Sequence, residues 1–437
     1  MHIVNQATVL YPNNNKMLDA AWLRQLCLDA GADDAGFVDL EQPALAGERP
    51  HIEKAFPRTR TLISIVLRMN RDNVRSVARS VANVEFHHQT DETNEVARRI
   101  VAALERAGVR ALNPPSGFPM EADRWMTGRM WVVSHKPVAV AAGMGRMGIH
   151  RNVIHPRFGN FVVLGTVLLA AEVSEYAQPL DFNPCLTCKL CVAACPVGAI
   201  GADGAFNFSA CYTHNYHEFM GGFSNWVETV ADSRNGKDYR RRVKESETVS
   251  TWQSLAFGPN YKAAYCMAVC PAGEDVIGAY RSSKKEFMDE FVRPLQAKEE
   301  ALYVIPGSDA ETHARKRFPH KVLRHVRNSL RSRNIKSFLQ GVPVSFQRLA
   351  AGDLEATYHF TFTGSQSAQA TIVIHAGTIS VTEGLHGRPN LRVTADSATW
   401  LGFLAREKNL VWALLTRRIK LNGNPKWLLA FGRCFPS

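Results

Sequence analysis

No stretch of the 437-residue chain reaches ~18 uninterrupted apolar residues, so a membrane-crossing helix is not expected. The start, Met1-His2-Ile3-Val4-Asn5-Gln6, lacks the basic segment and apolar core of an export signal, which points to the cytoplasm. Internal repeats and low-complexity tracts are absent, which sets aside solenoids and polar linkers. Hydrophobic residues make up 46% and charged residues 21%, a globular balance that excludes collagen-like and disordered chains. Acidic charge is in short supply. Against 52 Lys+Arg there are 40 Asp+Glu, a net charge of +12. A basic surface favours anionic partners such as nucleic acid, acidic lipid or an acidic electron carrier.

At roughly 150 residues per domain the length predicts two or three domains. Residues 17–40 open with a helical pattern from Met17 to Leu28, stopped at Gly31, then a short apolar segment at Ala35–Val38. Thr61–Leu67 is rich in β-branched residues and reads as a buried strand. Val96, Ile100, Val101 and Leu104 have helical spacing within 91–107. Alternating helix and strand signals give an α/β N-terminal domain, residues 1–182. Residues 183–285 hold most of the cysteines and form a second, ferredoxin-like iron–sulfur domain. Residues 286–325 read as a basic linker. The basic run over 313–336 reads as a solvated helix face joining two domains, with a phosphate-binding face as the sharper alternative. Residues 326–437 form a separate C-terminal α+β domain. It has a strand at Thr357–Phe362, a hairpin turning at Gly377, and helix pieces at Leu401–Leu404 and Leu410–Leu415.

Seven of the nine cysteines fall between positions 185 and 270, a cluster rather than a scattered disulfide framework. Cys185-x2-Cys188-x2-Cys191-x3-Cys195-Pro196 has the bacterial ferredoxin spacing for a 4Fe–4S cluster. Three closely spaced thiolates reach three irons of one cubane, and the fourth cysteine turns to another cluster. The return motif is Cys266-x3-Cys270-Pro271. By two-cluster logic Cys270 completes the first site with Cys185, Cys188 and Cys191. Cys195, Cys211 and Cys266 are left for a second iron–sulfur cluster. Position 263 is alanine where a fourth thiolate would stand. That second cluster is therefore 3Fe–4S, or 4Fe–4S with a ligand other than cysteine, with His214 and His217 nearby in sequence. Cys27 and Cys434, far from the motifs, read as structural thiols.

Gly143-Met144-Gly145-Arg146-Met147-Gly148 matches G-x-G-x-x-G, but no acidic residue follows at the spacing a dinucleotide site needs. Together with Arg151-Asn152, the His155–Gly165 segment and the cysteine module, it resembles epoxyqueuosine reductases and reductive dehalogenases over about residues 18–285. The resemblance implies electrons passing through two clusters to a cobalamin. Gly143, Gly145 and Gly148 would let the backbone approach the macrocycle, and Arg151 and Asn152 would bond its amides or phosphate. Epoxyqueuosine reductases carry an Asp general acid on the strand before this loop. The corresponding stretch here, Trp131–His135, has none, though Ser134 or His135 could donate a proton. No catalytic residue is assigned. Tyr358–Thr363, Ala370–Thr382, Gly384–Leu391 and Arg418–Asn424 resemble the sterol carrier protein type 2 domain, which implies an apolar tunnel. Trp400, Phe403, Trp412 and Trp427 are the aromatics that would line it or fill the core.

Taken together, the readings give an iron–sulfur oxidoreductase, a reductase linked to cobalamin and acting on a hydrophobic small molecule. An acidic ferredoxin or flavodoxin would supply its electrons. The alternatives are an electron-transfer protein without corrinoid, and a reductase directed at nucleic acid (tRNA). The missing Asp weighs against the last.

Overall fold

The computed structural model describes residues 17–121, 130–185 and 187–436. The N-terminal stretch examined for an export signal lies outside the described residues. Among the described residues no helix is long and apolar enough to cross a membrane. The architecture is mixed α/β with several sheets. The chain divides into two units, Met1–Cys191 with Tyr265–Arg293, and Val192–Ala264 with Pro294–Ser437.

In the first unit the main sheet contains β1 (Asp34–Asp39), β2 (Thr61–Arg68), β3 (Ala111–Leu112) and β6 (Val162–Leu169). Its order is β1-β2-β6-β3, with every pairing antiparallel. A short ladder, β4 (Arg146–Met147) with β5 (Val153–Ile154), carries the glycine loop. The run in β2 is continuous because both faces of the strand are covered. Leu62 and Val66 enter one core with Val138, Ala139 and Ala141 of the helix His135–Ala141. Ile63, Ile65 and Leu67 enter another with Leu23, Cys27, Ile100 and Leu104 from helices Ala20–Asp29 and Arg79–Arg106. Each buried Val, Leu or Ile side chain contributes about 1.5–3 kcal/mol.

Two local expectations change. The helix read within 91–107 starts at Arg79, because Ala82 and Phe86 extend its buried stripe through a polar stretch. Trp131–His135 is not a strand. It is irregular as far as Ser134 and then enters the helix His135–Ala141. Pro137 sits in that helix's first turn, where a missing N–H costs nothing.

The second unit begins with helices Phe208–Asn215, Gly221–Ala231, Gly236–Arg242 and Glu245–Phe257. A parallel pair follows, β7 (Ala301–Val304) with β8 (Val322–His325). The basic run is not one helix face. It divides between the helix Asp309–Arg317, β8 and the start of the helix Ile335–Ser345. Many of its cations are paired with acids: Arg315 to Glu311 at 2.7 Å, Lys321 to Glu300 at 2.7 Å, Arg324 to Glu247 at 3.2 Å and Arg327 to Asp232 at 2.8 Å.

A five-stranded sheet ends the chain: β9 (Ala356–Thr363), β10 (Ala368–His375), β11 (Thr378–Glu383), β12 (Leu391–Asp396) and β13 (Ile419–Gly423). Its order is β11-β10-β9-β12-β13, antiparallel except where β9 lies beside β12. The β10–β11 hairpin turns on Ala376 and Gly377, at φ 48° and 65°. Two left-handed residues in succession match the strand twist, and glycine accepts that conformation without strain. Inward residues of the sheet, Tyr358, Phe360, Phe362 and Ile372, meet Phe338, Trp400 and Phe431 in one core.

Candidate functional site

Four of the predicted ligands meet inside the first unit. Cys185, Cys188, Cys191 and Cys270 line one recess with Ile149, His150, Pro184, Pro271 and Ala272. Cys191 and Cys270 are buried, and Cys185 and Cys188 are partly exposed. None of the nine cysteines is in a disulfide. Among the described residues no three His, Cys, Asp or Glu side chains converge to hold a single metal ion. The four thiols surround a space instead, as ligands to separate irons of one cubane must.

Two glycines bring Cys270 to the other three. The segment after Pro271 packs against the loop Pro156–Gly159. A Cβ on Gly159 would lie 2.0 Å from the Ala272 carbonyl oxygen, and one on Gly273 would lie 2.3 Å from the Gly159 nitrogen. The approach lets the Glu274 N–H donate to Pro156 O at 2.8 Å and the Asp275 N–H to Arg157 O at 3.0 Å. Arg157 then donates to the Asp275 carboxylate at 3.1 Å. The Arg75 guanidinium stacks over Phe161, Phe287 and Phe291, tying the same segment to the sheet domain.

The recess is electrostatically tense as a set of thiols. Burial pushes the Cys270 thiol far up, and the neighbouring Cys188, Cys191 and Cys185 push it further. Burial also raises Cys188, while Lys189 and Lys284 pull it down. Crowded thiolates in a low-dielectric site call for a multivalent cationic core. The donor set therefore fits a 4Fe–4S cluster.

The remaining predicted ligands lie elsewhere in the division of the chain. Cys266 belongs to the first unit, on the short helix Tyr265–Ala268. Cys195 and Cys211 belong to the second. The Cys195 sulfur accepts from the Ala199 N–H at 3.3 Å. Burial still raises its pKa, opposed by amides from Val197 to Ile200 that face the sulfur. Such amide donors are what a thiolate ligand needs. His214 is buried and His217 half-buried, and desolvation holds both rings neutral, pushed down to about 4 and about 3. Cys27 and Cys434 sit in apolar cores, where burial lifts them to about 12 and about 11.

The glycine loop is packed by protein. Gly143 faces the Gln178 carbonyl oxygen, Gly145 the Ile154 carbonyl oxygen, and Gly148 the His150 ring. Lys136 Nζ donates to Arg151 O at 2.6 Å and to Asn152 Oδ1 at 3.0 Å. His135, considered as a proton donor, is held by both nitrogens: Nε2 to Pro115 O at 3.0 Å and Nδ1 to Thr166 Oγ1 at 2.9 Å.

The sequence reading did not find two features of this site. The Gly159–Gly273 clasp could have been suspected from Gly273 standing just after Cys270-Pro271-Ala272. His150 had no signal beyond its place beside the third glycine of the loop.

Both resemblances read from the sequence are found by comparison with known proteins. Residues 346–436 match the SCP-2 sterol transfer family. The matched span starts 20 residues after position 326. The helix Ile335–Ser345 nevertheless belongs to the same core, through Ile335, Phe338 and Val342. Curated epoxyqueuosine reductases also match the chain. The one from Lactococcus garvieae is 25% identical over 139 residues, 32% of this chain and 32% of its own length. The one from Cellulophaga algicola is 23% identical over 236 residues, 49% of this chain and 75% of its own. This chain spans about a third or less of the first relatives matched, 32%, 20% and 36% of their lengths.

Solved structures give slight overlaps. The epoxyqueuosine reductase of Streptococcus thermophilus is 15% identical with TM-score 0.34, covering 74% of this chain and 84% of its own. A catabolic reductive dehalogenase is 17% identical with TM-score 0.32, covering 41% and 25%. The Sterol Carrier Protein 2 Like 2 of Aedes aegypti is 15% identical with TM-score 0.18, covering 22% and 93%.

Proposed function

We propose that the chain is an iron–sulfur reductase that works in a reducing compartment such as the cytoplasm. The observation that carries this reading is the meeting of Cys185, Cys188, Cys191 and Cys270 around one recess. These four thiolates would hold a 4Fe–4S cluster, which supplies one-electron transfer when bound. Cys195, Cys211 and Cys266 are assigned to a second iron–sulfur cluster, as their spacing suggests. The similarity to epoxyqueuosine reductases supports reduction as the reaction class.

The chain's own contribution is positional. The glycine clasp holds Cys270 across from the Cys185–Cys191 loop. Arg75, Lys189 and Lys284 set positive charge near the thiolates. A basic chain at +12 suits an acidic ferredoxin or flavodoxin as donor. The SCP-2 match supports a hydrophobic small molecule as substrate. Gly143, Gly145, Gly148, Arg151 and Asn152 are the residues that the resemblance offers to a cobalamin, and no step is assigned to it.

The test is anaerobic purification with cobalamin supplied, followed by iron, sulfide and cobalt analysis. Seven or eight irons per chain are expected. Cobalt near one per chain would make the protein a corrinoid reductase. Full iron without cobalt would leave a reductase or electron carrier that runs on its clusters alone. Iron-free protein would overturn the proposal. A second reading, a tRNA-directed reductase, follows from the resemblance to epoxyqueuosine reductases and the net charge of +12, and salt-sensitive tRNA retention by the purified chain would favour it.

A further inference from the structure

One wall of the four-cysteine recess is a histidine. His150 is 4% exposed and lines the space with Cys185, Cys188, Cys191 and Cys270. Its Nδ1 accepts a hydrogen bond from the Asn152 N–H at 3.1 Å. A neutral imidazole carries one proton, so an accepting Nδ1 places that proton on Nε2. Nε2 is buried and makes no hydrogen bond within the protein. A protonated nitrogen has no lone pair for iron, but it is a donor without an acceptor. Buried donors of that kind are rare in native proteins and point to a missing partner.

The ring is held where it is. A Cβ on Gly148 would lie 2.7 Å from His150 Cε1, so the third glycine of the loop leaves room for the imidazole. The turn that supplies the Asn152 amide is anchored by Lys136, which donates to Arg151 O and Asn152 Oδ1.

We propose that His150 is a built-in hydrogen-bond donor to the cluster, its Nε2–H directed at a sulfur of the group held by the four cysteines. The inference rests on the cluster reading above and goes beyond it by giving His150 a task. Reduction adds negative charge that spreads onto the sulfurs. A donor fixed beside one of them stabilises the reduced state more than the oxidised state. His150 therefore raises the potential at which the first cluster accepts an electron.

Two variants test it. H150L removes the donor, and H150Q keeps an N–H donor in a side chain of intermediate length. Iron and sulfide are counted first, and the first cluster is then titrated electrochemically with EPR detection. In H150L the ratio of reduced to oxidised cluster at a fixed potential falls about tenfold, a midpoint about 59 mV lower for one electron. H150Q recovers most of the shift. Pulsed EPR of the reduced wild-type protein in H2O and D2O shows an exchangeable proton coupled to the cluster, and H150L lacks it. An unchanged midpoint and an unchanged proton coupling in fully loaded H150L would overturn the proposal. So would loss of iron in H150Q, where a donor remains. Iron-free wild-type protein would overturn the cluster reading itself, a result separable from either outcome.

Discussion

The recess in the first unit and the sheet core in the second both gather soft, polarizable side chains, and they differ in what those side chains face. The four thiols face one recess. The aromatics of the second face one another. Phe360 meets Trp400 at 5.4 Å between ring centroids, Phe338 meets Trp400 at 5.6 Å, and Tyr358 meets Phe431 at 5.0 Å. Trp400, one of the residues expected to line a tunnel or fill the core, is 2% exposed within that packing, and Trp412 is 54% exposed. The contrast shows that residue type alone does not mark a site. Cysteine gives the same lesson within one chain. At 27 and 434 it is a small hydrophobe in a closed core, and at 185, 188, 191 and 270 it lines a shared recess.

The largest test of that contrast removes a thiol from each setting. Cys270→Ser should cost about four irons per chain, the content of one cubane. Cys434→Ala should leave iron unchanged and lower stability by about 1 kcal/mol. Iron analysis and urea denaturation read the two effects. Equal iron loss in both variants would erase the distinction.

A second test empties the aromatic core. Phe360→Ala should destabilise the protein by about 3–5 kcal/mol without touching iron content, as large-to-small changes in closed cores do. A loss below about 1 kcal/mol would mean that the core already has slack, as a ligand tunnel would.

Much of this was legible because the two kinds of signal differ in range. The ferredoxin spacing is chemistry written locally, so Cys185, Cys188 and Cys191 could be named from the sequence. Cys270 followed from its Cys-x3-Cys-Pro context. β2, β9 and the β10–β11 hairpin were legible because burial on one or both faces imposes a period on the chain. At Trp131–His135 the resemblance implied a strand, while the chain's own backbone enters a helix after Ser134. The basic run misled because sequence shows the cations and not Glu228, Glu247, Glu300 and Asp232, which lie far away in the chain and pair with them. His150 was invisible because its meaning rests on one unfilled hydrogen bond.

A smaller effect separates the units by pH. His214 and His217 in the second unit are held neutral, titrating at about 4 and about 3, against about 6.5 when unfolded. Below about 6.5 the unfolded chain binds protons that the folded chain refuses. Stability is therefore full above about pH 6.5 and falls as the pH drops toward 4, by up to about 3 kcal/mol per histidine. Urea midpoints at pH 7.5 and pH 5 should show the loss, and His217→Gln should reduce it. A flat profile would contradict the burial of these rings.

The smallest expected effect lies in the glycine loop. Lys136→Met removes donors to Arg151 O and Asn152 Oδ1 and should cost about 1 kcal/mol. Hydrogen exchange should quicken at the Asn152 amide, which holds the His150 ring.

The most direct measurement is a Mössbauer spectrum of the chain reconstituted anaerobically with 57Fe, set beside that of Cys270→Ser. The account predicts that the variant loses a 4Fe–4S component worth about four irons, while the iron assigned to Cys195, Cys211 and Cys266 persists. A wild-type spectrum without a cubane signal, or a variant spectrum identical to wild type, would contradict the claim that these four cysteines hold one cluster.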